Sequence, residues 1–565
     1  MKRIIQKVLI LIQYGIMNDF ETFLVYIKTS FLNKTFKFAV SIQNKRKLLK
    51  LMSKIIFFIV SLFFAIIFAG CDSSTLQQRT YSPEIDSVLT KAGSNHIELE
   101  KALGYFYNKK DSVKMKAIEF LVANMDIHYS ETYYWKDLLN GNKIEYSEFD
   151  YSDFELAVKG IESLKNKYGL LTCQDTIIYD MHVLSSEYLI ENVNHAVDTW
   201  RVSEYRDIPF EDFCEYILPY RVTTEPIADW RVKYHTRFQW LGDSICNKSL
   251  KNVLGYATID YKDWFTFTTG KEYRDEPLPR LSAQQLLFRK KGPCEDVASL
   301  ETFIFRSQAI PAAYITIPLW ATSAGAHFSN TIFEKDMSPI KFDITMNIPV
   351  NHELPREPAK VIRHTYSKQK ETLAMYERKE NIPPGYMQHP NYIDVTHEYW
   401  ETSNVTVPLF TDTVQTVYAG IFSRGEWNAE WWGRQNNDSV IFTDMPKGVV
   451  ILPMTYNGGR FKVAGYPVVN GFNHQLLLIP DTVHTRSITI TEQDKYLRFR
   501  PGKKYELFYW NNRWKSLGVQ TATVKSSALQ FIHVPRNTLM LLVPEYSEEK
   551  ERPFIIMDDG SRYWW

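Results

Sequence analysis

The sequence predicts a multidomain protein of the α+β class, and three observations lead to that prediction. At 565 residues the chain is too long for a single hydrophobic core, so it must divide into several domains. Apolar residues recur at helical spacing between residues 84 and 260. Beyond residue 401, short β-branched and aromatic runs alternate with turn signals such as Asn457-Gly458-Gly459. We therefore expect a helical N-terminal region, a mixed core, and two C-terminal β-sandwich modules at 401–470 and 471–565.

The composition is that of an ordinary globular protein. Hydrophobic residues make up 45% of the chain and charged residues 23%, and the formal net charge is +1. This balance argues against nucleic acid and against a strongly acidic macromolecule as partners. Aromatic residues reach 15%. Core and cross-strand aromatic pairs explain them better than exposed platforms for glycans or peptides.

The five cysteines do not form a metal-binding pattern. They stand at positions 71, 173, 214, 246 and 294. The chain has no Cys-x-x-Cys pair, no Cys/His cluster at metal-ligand spacing and no His-Glu-x-x-His motif. No metal or other cofactor is therefore predicted. One disulfide among Cys173, Cys214 and Cys246, or three free thiols, would suit an oxidising compartment equally well.

Residues 52–70 resemble a bacterial lipoprotein signal peptide. A short basic start precedes an apolar run that ends in Phe68-Ala69-Gly70-Cys71, which matches a lipobox. The run holds about 15 residues, fewer than the ~20 needed to span a bilayer. The resemblance implies lipid on Cys71 and a polar tether at 71–83. It places the mature chain in the bacterial cell envelope, on the periplasmic face or on the outer surface of the outer membrane.

The segment that precedes this signal needs its own explanation. Residues 1–51 are basic and contain apolar clusters, whereas a signal peptide belongs at a true N-terminus. We interpret Met52 as the translation start and residues 1–51 as a gene-model extension. A basic arm on the membrane surface is the alternative.

Residues 84–260 are predicted to be mostly helical. Asp111 is a candidate N-cap between two amphipathic helices, the first of which carries Leu99, Ala102, Leu103 and Phe106 on one face. Residues 215–221 are dense in aromatic and charged side chains, and packing against the core explains them better than lining a cleft. Residues 348–400 are rich in proline, histidine and charge and are interpreted as a connector or a lid.

The residues that indicate chemistry lie at 261–347. Gly292 and Pro293 break the chain ahead of Cys294, and apolar residues at helical spacing follow, so Cys294 should begin a helix. Unpaired backbone N–H groups at a helix start favour a thiolate and can hold an oxyanion. Three β-like runs come next, with His327 at the start of the second and Asp343 within the third. This order supplies a nucleophile, a base and a group that orients the base.

This stretch resembles the core of the transglutaminase-like superfamily, a papain-like cysteine fold. Gly292-Pro293-Cys294 matches its Gly-x-Cys motif, and Ala309-Ile310-Pro311-Ala312 matches its Gly-Ile-Pro-Ala motif. His327 matches the histidine of His-Ala-Trp, and Asp343-Ile344-Thr345 matches Asp-x-Thr. The sequence departs from the pattern at Phe328-Ser329, after the histidine, and at Ala309, where glycine is usual.

The resemblance implies thiol acyl transfer on peptide, protein or glycopeptide substrates by a Cys294-His327-Asp343 triad, without a cofactor. Gln285 is a weak candidate for an oxyanion donor, because papain-like enzymes keep a glutamine upstream of the nucleophile. Bacterial extracytoplasmic members are more often hydrolytic, so amide or peptide hydrolysis is predicted. A protein-crosslinking transglutaminase is one alternative. A non-catalytic lipoprotein that binds glycans or peptides and keeps a remnant triad is the other.

Overall fold

The computed structural model describes residues 81–270, 279–410, 416–493, 497–524 and 527–564. The predicted extension at 1–51, the signal peptide at 52–70 and the lipidation site at Cys71 lie outside these residues. Within the described ranges, none of the helices is long and apolar enough to cross a bilayer.

The N-terminal region is built mainly from helices that pack through one apolar face each. Asp111 caps its helix as predicted, because its carboxylate accepts the Lys114 N–H at 3.2 Å. The helices are α1 (Pro83–Lys91), α2 (His96–Lys109), α3 (Ser112–Ala123), α4 (Phe154–Tyr168), α5 (Ser186–Val202), α6 (Phe210–Tyr216), α7 (Arg231–Arg237), α8 (Gln239–Ile245) and α9 (Leu250–Trp264).

A three-stranded antiparallel sheet interrupts this helical region, and the helical spacing of apolar residues does not predict it. Its strands are β1 (Tyr129–Asp137), β2 (Lys143–Ile144) and β3 (Leu171–Tyr179), in the order β2-β1-β3. β1 and β3 pair in continuous register from Tyr129 opposite Tyr179 to Asp137 opposite Leu171. Both strands are rich in aromatic and β-branched residues, which favour a pleated, half-buried surface.

The central region joins a buried helix to a five-stranded antiparallel sheet. The short helix α10 (Ala283–Arg289) leads into α11 (Cys294–Ser307), and the short strands β4 (Thr266–Phe267) and β5 (Lys291–Gly292) pair in parallel beside them. The sheet has the order β10-β9-β6-β7-β8. Its strands are β6 (Ala312–Ile317), β7 (His327–Phe333), β8 (Pro339–Phe342), β9 (Ile362–His364) and β10 (Tyr392–Asp394).

Two features of this region differ from the sequence-based picture. β9 and β10 belong to residues 348–400, so this segment adds two strands to the core sheet instead of only connecting modules. One continuous apolar cluster extends from Ile85 on α1 to Phe305 on α11 and Phe342 on β8. The helical region and the central sheet therefore share a single core.

The C-terminal half is β-rich, as predicted, and its first sheet curls round its own core. This antiparallel sheet has the order β11-β14-β13-β12-β15-β17-β18, with β16 beside β15. The first and later strands approach each other where Ser403 donates to Asn470 at 2.9 Å, so the sheet is nearly barrel-like. The sheet continues past residue 470, the predicted end of the first module. A short helix, α12 (Thr396–Tyr399), precedes its strands β11 (Thr402–Pro408), β12 (Thr416–Ser423), β13 (Glu426–Asn436), β14 (Ser439–Pro446), β15 (Val449–Asn457), β16 (Arg460–Val463), β17 (Val468–Asn470) and β18 (Gln475–Leu477).

The last module has two sheets with an apolar core between them, which is the predicted sandwich arrangement. β19 pairs with β22, and the other sheet has the order β21-β20-β23-β24-β25. Ile490, Leu507 and Phe531 contribute to the core from three strands. The strands are β19 (Asp481–Thr491), β20 (Lys504–Trp510), β21 (Trp514–Thr521), β22 (Ala528–Arg536), β23 (Met540–Pro544), β24 (Phe554–Ile556) and β25 (Arg562–Trp564). The multidomain α+β class is therefore confirmed.

The cysteines of the described residues are not disulfide-bonded. Cys173, Cys214, Cys246 and Cys294 are all present as thiols. Of the two alternatives left open for Cys173, Cys214 and Cys246, the structure has the one without a disulfide.

Candidate active site

Cys294 is the first residue of α11, as the sequence predicted. Pro293 occupies the N-cap position in an extended conformation, with φ −77° and ψ 179°, and its carbonyl accepts the N–H groups of Asp296 and Val297 at 3.0 Å each. The thiol is partly exposed, whereas the next thirteen residues of the helix are buried. The helix is thus fixed in the core and presents only its first residue at a surface.

Gly292 is required by the close approach of Asp296. A Cβ atom on residue 292 would lie 2.3 Å from Asp296 Oδ2 and 2.7 Å from Asp296 Cβ. Neither distance is tolerable for non-bonded atoms. The glycine of the Gly-Pro-Cys motif therefore lets the start of α11 fold tightly onto the preceding strand.

Gly292→Ala is expected to lower the free energy of unfolding by about 1–3 kcal/mol, the usual cost of forcing an extra methyl group into a packed site. Urea denaturation measures it. Gly255→Ala in α9 is the matched control, because a Cβ there meets nothing within 4 Å and alanine is the better helix former. Equal stability of the two variants would contradict the steric explanation.

His327 and Asp343 are brought together by adjacent strands. His327 opens β7, and its Nε2 lies 2.6 Å from Asp343 Oδ2. Asp343 directly follows β8 instead of lying within a strand, which corrects the sequence-based placement. The reason is local, because Asp343 Oδ1 accepts the Thr345 backbone N–H at 3.0 Å and the Thr345 hydroxyl at 2.6 Å. This turn ends the strand and explains the Asp-x-Thr motif.

The imidazole also contacts the thiol. Burial lowers the pKa of His327, but hydrogen bonds with Asp343 and with Cys294 outweigh it and raise the pKa to about 9. Since Asp343 occupies Nε2, the nitrogen left for the thiol is Nδ1. Burial works against ionisation of Asp343, yet the hydrogen bonds from His327 and Thr345 keep the pKa of its carboxyl below the usual value. The three predicted residues therefore lie together in the order Cys294, His327, Asp343.

The raised pKa of His327 predicts a pH-dependent stability. Because the pKa is about 9 in the fold and about 6.5 in an unfolded chain, protonation stabilises the fold fully below about pH 6.5. That contribution is lost as the pH rises through 9. The free energy of unfolding of wild type, relative to His327→Gln, should fall by up to about 3 kcal/mol between pH 6 and pH 10. Urea titrations at the two pH values measure this, and parallel values for both proteins would contradict it.

The two acidic residues after Cys294 are buried, and Glu295 has a cationic partner. Glu295 and Asp296 are 5% and 3% exposed, so water does not screen their charges. Glu295 forms an ion pair with Arg280, and Asp296 packs against Gly292. The Arg280 pairing lies outside any local motif, so no sequence pattern predicts it.

Gln285 has a structural role at the start of α10. Its Oε1 accepts the Ser282 N–H at 2.9 Å, and its own N–H donates to Ser282 Oγ at 3.3 Å. This is a capping box, and it is sufficient to explain a glutamine at this position. A role for Gln285 as an oxyanion donor stays a prediction.

Three further residues at the site were missed by sequence reasoning. The Trp320 ring stacks on His327, with centroids 5.9 Å apart and planes inclined by 28°. The Tyr261 hydroxyl is buried without a hydrogen-bond partner among the described residues; burial, and then nearby acidic groups including Asp343 and Cys294, raise its pKa. His352 is also buried, and Asp343 and His327 both influence its pKa, which burial lowers. Each comes close to the site only through the fold.

The departures from the family motif have simple local explanations. Phe328 packs its ring against Tyr314, with centroids 5.8 Å apart, and Ser329 is buried. Ala309 has φ +55°, a left-handed conformation in which glycine has no steric penalty. This conformation explains why glycine is usual at that position.

Comparison with known proteins finds a family for the region that contains the site. The family model described as the transglutaminase-like superfamily matches residues 256–343, a range that ends at Asp343 and includes α11, β6, β7 and β8. The chain carries a transglutaminase-like domain. A search of curated proteins finds no match. Within the described residues, the transglutaminase-like domain and its surroundings contain no group of His, Cys, Asp and Glu side chains able to hold a metal ion.

Proposed function

We propose that this protein is a lipid-anchored enzyme of the bacterial cell envelope that hydrolyses peptide or amide bonds by thiol acyl transfer. The observation that supports it most directly is the 2.6 Å contact between His327 Nε2 and Asp343 Oδ2, together with a hydrogen bond with Cys294 that raises the pKa of His327 further. A transglutaminase-like domain suggests a papain-like cysteine enzyme. The proposal goes beyond this domain in three respects: the bond that is broken, the fate of the acyl group and the lipid anchor.

The first half of the proposed reaction forms an acyl-enzyme. Because the pKa of His327 is about 9, its ring already holds the proton of Cys294 on Nδ1 at neutral pH, and the sulfur attacks the carbonyl carbon of the scissile amide. The carbonyl oxygen becomes an oxyanion at the N-terminus of α11. The Cys294 backbone N–H there is a suitable donor, a contact worth roughly 3–4 kcal/mol where it has been measured. His327 then gives its proton to the leaving amine, and the C–N bond breaks to leave a thioester.

The second half releases the acid. His327 takes a proton from water, the resulting hydroxide attacks the thioester, and the C–S bond breaks as His327 returns the proton to the sulfur. Asp343 keeps the imidazole in the tautomer whose proton is on Nε2 and stabilises the charged ring. An amine in place of water would give a new amide, which is the crosslinking alternative.

The nucleophile is tested with a thiol-directed electrophile. Iodoacetamide at pH 7 should modify Cys294 about tenfold or more faster than the exposed Cys246, because only Cys294 has an imidazole partner and a helix N-terminus. His327→Ala should remove most of this difference, because it removes the imidazole and leaves only the helix N-terminus. His484→Ala is the matched control, because His484 also pairs with a carboxylate, Asp481, at 2.8 Å but lies outside the proposed site. A Cys294 no more reactive than Cys246 would favour the non-catalytic binding protein.

The fate of the acyl group is tested by product analysis. The protein and its Cys294→Ala variant are incubated with a peptide library, and the masses of the products are measured by mass spectrometry. Hydrolysis adds the mass of water to the fragments, whereas crosslinking of glutamine to lysine loses ammonia. Cys294-dependent fragments support the proposal, and Cys294-dependent crosslinks would replace it with the transglutaminase.

The anchor is tested separately in cells. A bacterium that expresses the chain and is fed a tagged fatty acid should incorporate the tag into wild type but not into Cys71→Ser. Equal labelling of the two proteins would contradict lipidation at Cys71.

A further inference from the structure

A cleft with a volume of about 200 Å³ opens beside His327. Trp320, Ala324, Met346 and Leu354 supply apolar surface, and His352 and Arg356 also border it. For comparison, an apolar cavity of roughly 150 Å³ is enough to bind benzene. The cleft therefore has room for one bulky apolar side chain.

The position of the cleft identifies which part of a substrate it faces. His327 lines it, whereas Cys294 does not. In thiol acyl transfer the acyl half of the substrate becomes bonded to the sulfur, while the leaving amine must lie within hydrogen-bond reach of the imidazole. A cleft bordered by the histidine and not by the cysteine is thus on the amine side of the scissile bond.

The walls of the cleft suit an apolar group held rigidly. Trp320 is 7% exposed, and its ring is held in place by stacking on His327 at 5.9 Å and by the Arg356 guanidinium, 5.7 Å from its centroid. Aromatic surface of this kind gives a large contact area without loss of side-chain entropy on binding. Leu354 is buried and closes another part of the wall.

One polar group in the cleft lacks a partner. His352 is only 3% exposed, and neither of its ring nitrogens makes a regular hydrogen bond within the described residues. The Lys341 backbone is near the ring, but not with regular hydrogen-bond geometry. Buried polar groups without partners are rare and costly. A ligand with an amide group in the cleft would remove this cost.

We propose that this cleft binds the residue that supplies the leaving amine, with a bulky apolar side chain against Trp320 and Leu354 and its following amide on His352. The inference rests on the proposed acyl-transfer function, because only that chemistry defines an amine side. It names the substrate class more closely: peptides with leucine, phenylalanine or a similar residue immediately after the scissile bond.

Binding of small amine products tests the proposal without turnover. The full chain carrying Cys294→Ala is titrated with leucinamide, phenylalaninamide and glycinamide in a calorimeter. Burying the larger side chains should make the first two bind about tenfold or more tightly than glycinamide. 3-Methylbutylamine, which lacks the carboxamide, should bind several-fold more weakly than leucinamide, and His352→Leu should remove that difference.

Variants that fill the cleft provide the control. Ala324→Phe and Met346→Trp enter it from two partly exposed positions and should each reduce leucinamide binding to the level of glycinamide. Ile348→Phe, at a 73% exposed position close in sequence but outside the lining, should leave it unchanged. Two filling variants are used because one of them alone could fail to fold.

Two outcomes overturn the proposal: equal binding of all three amides, or a preference for leucinamide that survives both filling variants. Iodoacetamide labelling of Cys294 in the full chain reports on the proposed function independently. A reactive Cys294 without an amide preference overturns the cleft assignment alone. A preference lost in both filling variants supports the ligand class even if Cys294 proves inert, in which case the acyl-transfer proposal fails by itself.

Discussion

Asp343→Asn is expected to lower the turnover of the best peptide substrate by about 10⁴-fold, the loss that a wrong histidine tautomer causes in a Ser-His-Asp triad. The structure explains why the tautomer would change. Thr345 donates its backbone N–H to Asp343 Oδ1 at 3.0 Å, so the carboxamide oxygen of an asparagine must take that position. The NH₂ group then faces His327 and donates to Nε2, which forces the ring proton onto Nδ1. That nitrogen can no longer accept the proton of Cys294.

The expected loss is confined to the chemical step. The asparagine keeps the volume of Asp343 and its contact with Thr345, so kcat should fall while KM changes little. The melting temperature should fall as well, because the carboxylate helps to stabilise the charged His327 ring. Steady-state kinetics and thermal denaturation measure the three quantities. Asp481→Asn is the control, since Asp481 pairs with a surface histidine and should leave kcat unchanged. An Asp343→Asn enzyme with wild-type kcat would show that the carboxylate does not act on the imidazole.

The parts of the site that sequence reasoning predicted are those encoded locally. Gly292 and Pro293 before an apolar periodic run are enough to predict that Cys294 starts a helix. His327 begins β7 where the alternation of a strand begins. The hydrophobic pattern predicts Asp343 inside a strand, whereas the strand ends one residue earlier. The reason is that the turn of Asp343 with Thr345 depends on side-chain hydrogen bonds, which a hydrophobic pattern does not record.

The parts that were missed depend on pairing across the fold. The sheet of β1 and β3 joins segments more than 30 residues apart around a helix, so neither strand carries a signal for its partner. Arg280 and Glu295 are likewise brought together only by the turn between α10 and α11. The two added strands at 362–364 and 392–394 are three residues each, too short for alternation to stand out from the surrounding loop.

Residues 215–221 show how burial decides between two interpretations of the same sequence. The segment contains both aromatic and charged side chains, and packing against the core was favoured over lining a cleft. Tyr220 is 1% and Arg221 is 2% exposed, and Tyr220 belongs to the main apolar core. Arg221 is tolerated there because its guanidinium forms an ion pair and hydrogen bonds to several oxygens.

The largest stability change is expected from Arg221→Met, at about 3–5 kcal/mol, because the substitution leaves a buried carboxylate unpaired. Arg221 Nη2 lies 2.6 Å from Asp180 Oδ1 and Nε lies 2.6 Å from Asp180 Oδ2. The side chains are 1% and 0% exposed, so water cannot replace the lost partner. Arg221 also donates to the Thr223 carbonyl at 2.8 Å, which fixes the chain just beyond it.

Urea denaturation measures this loss of stability, and a variant at an exposed ion pair is the comparison. Arg201 pairs with Asp111 at 2.7 Å, but its side chain is 40% exposed. Arg201→Met should therefore cost no more than about 1 kcal/mol. A similar loss in both variants would mean that burial adds nothing to the pairing at Arg221.

A double variant separates the unpaired charge from the lost packing. If the cost of Arg221→Met comes mainly from the stranded Asp180 carboxylate, then Arg221→Met combined with Asp180→Leu should recover much of it, since replacing both members of a buried pair by apolar groups is often nearly neutral. Tyr220 limits the recovery, because its hydroxyl donates to Asp180 Oδ2 at 2.9 Å and would lose that acceptor. A double variant as unstable as Arg221→Met would instead show that the guanidinium stabilises this region chiefly through the carbonyls that it ties together, and that the charge pair is secondary.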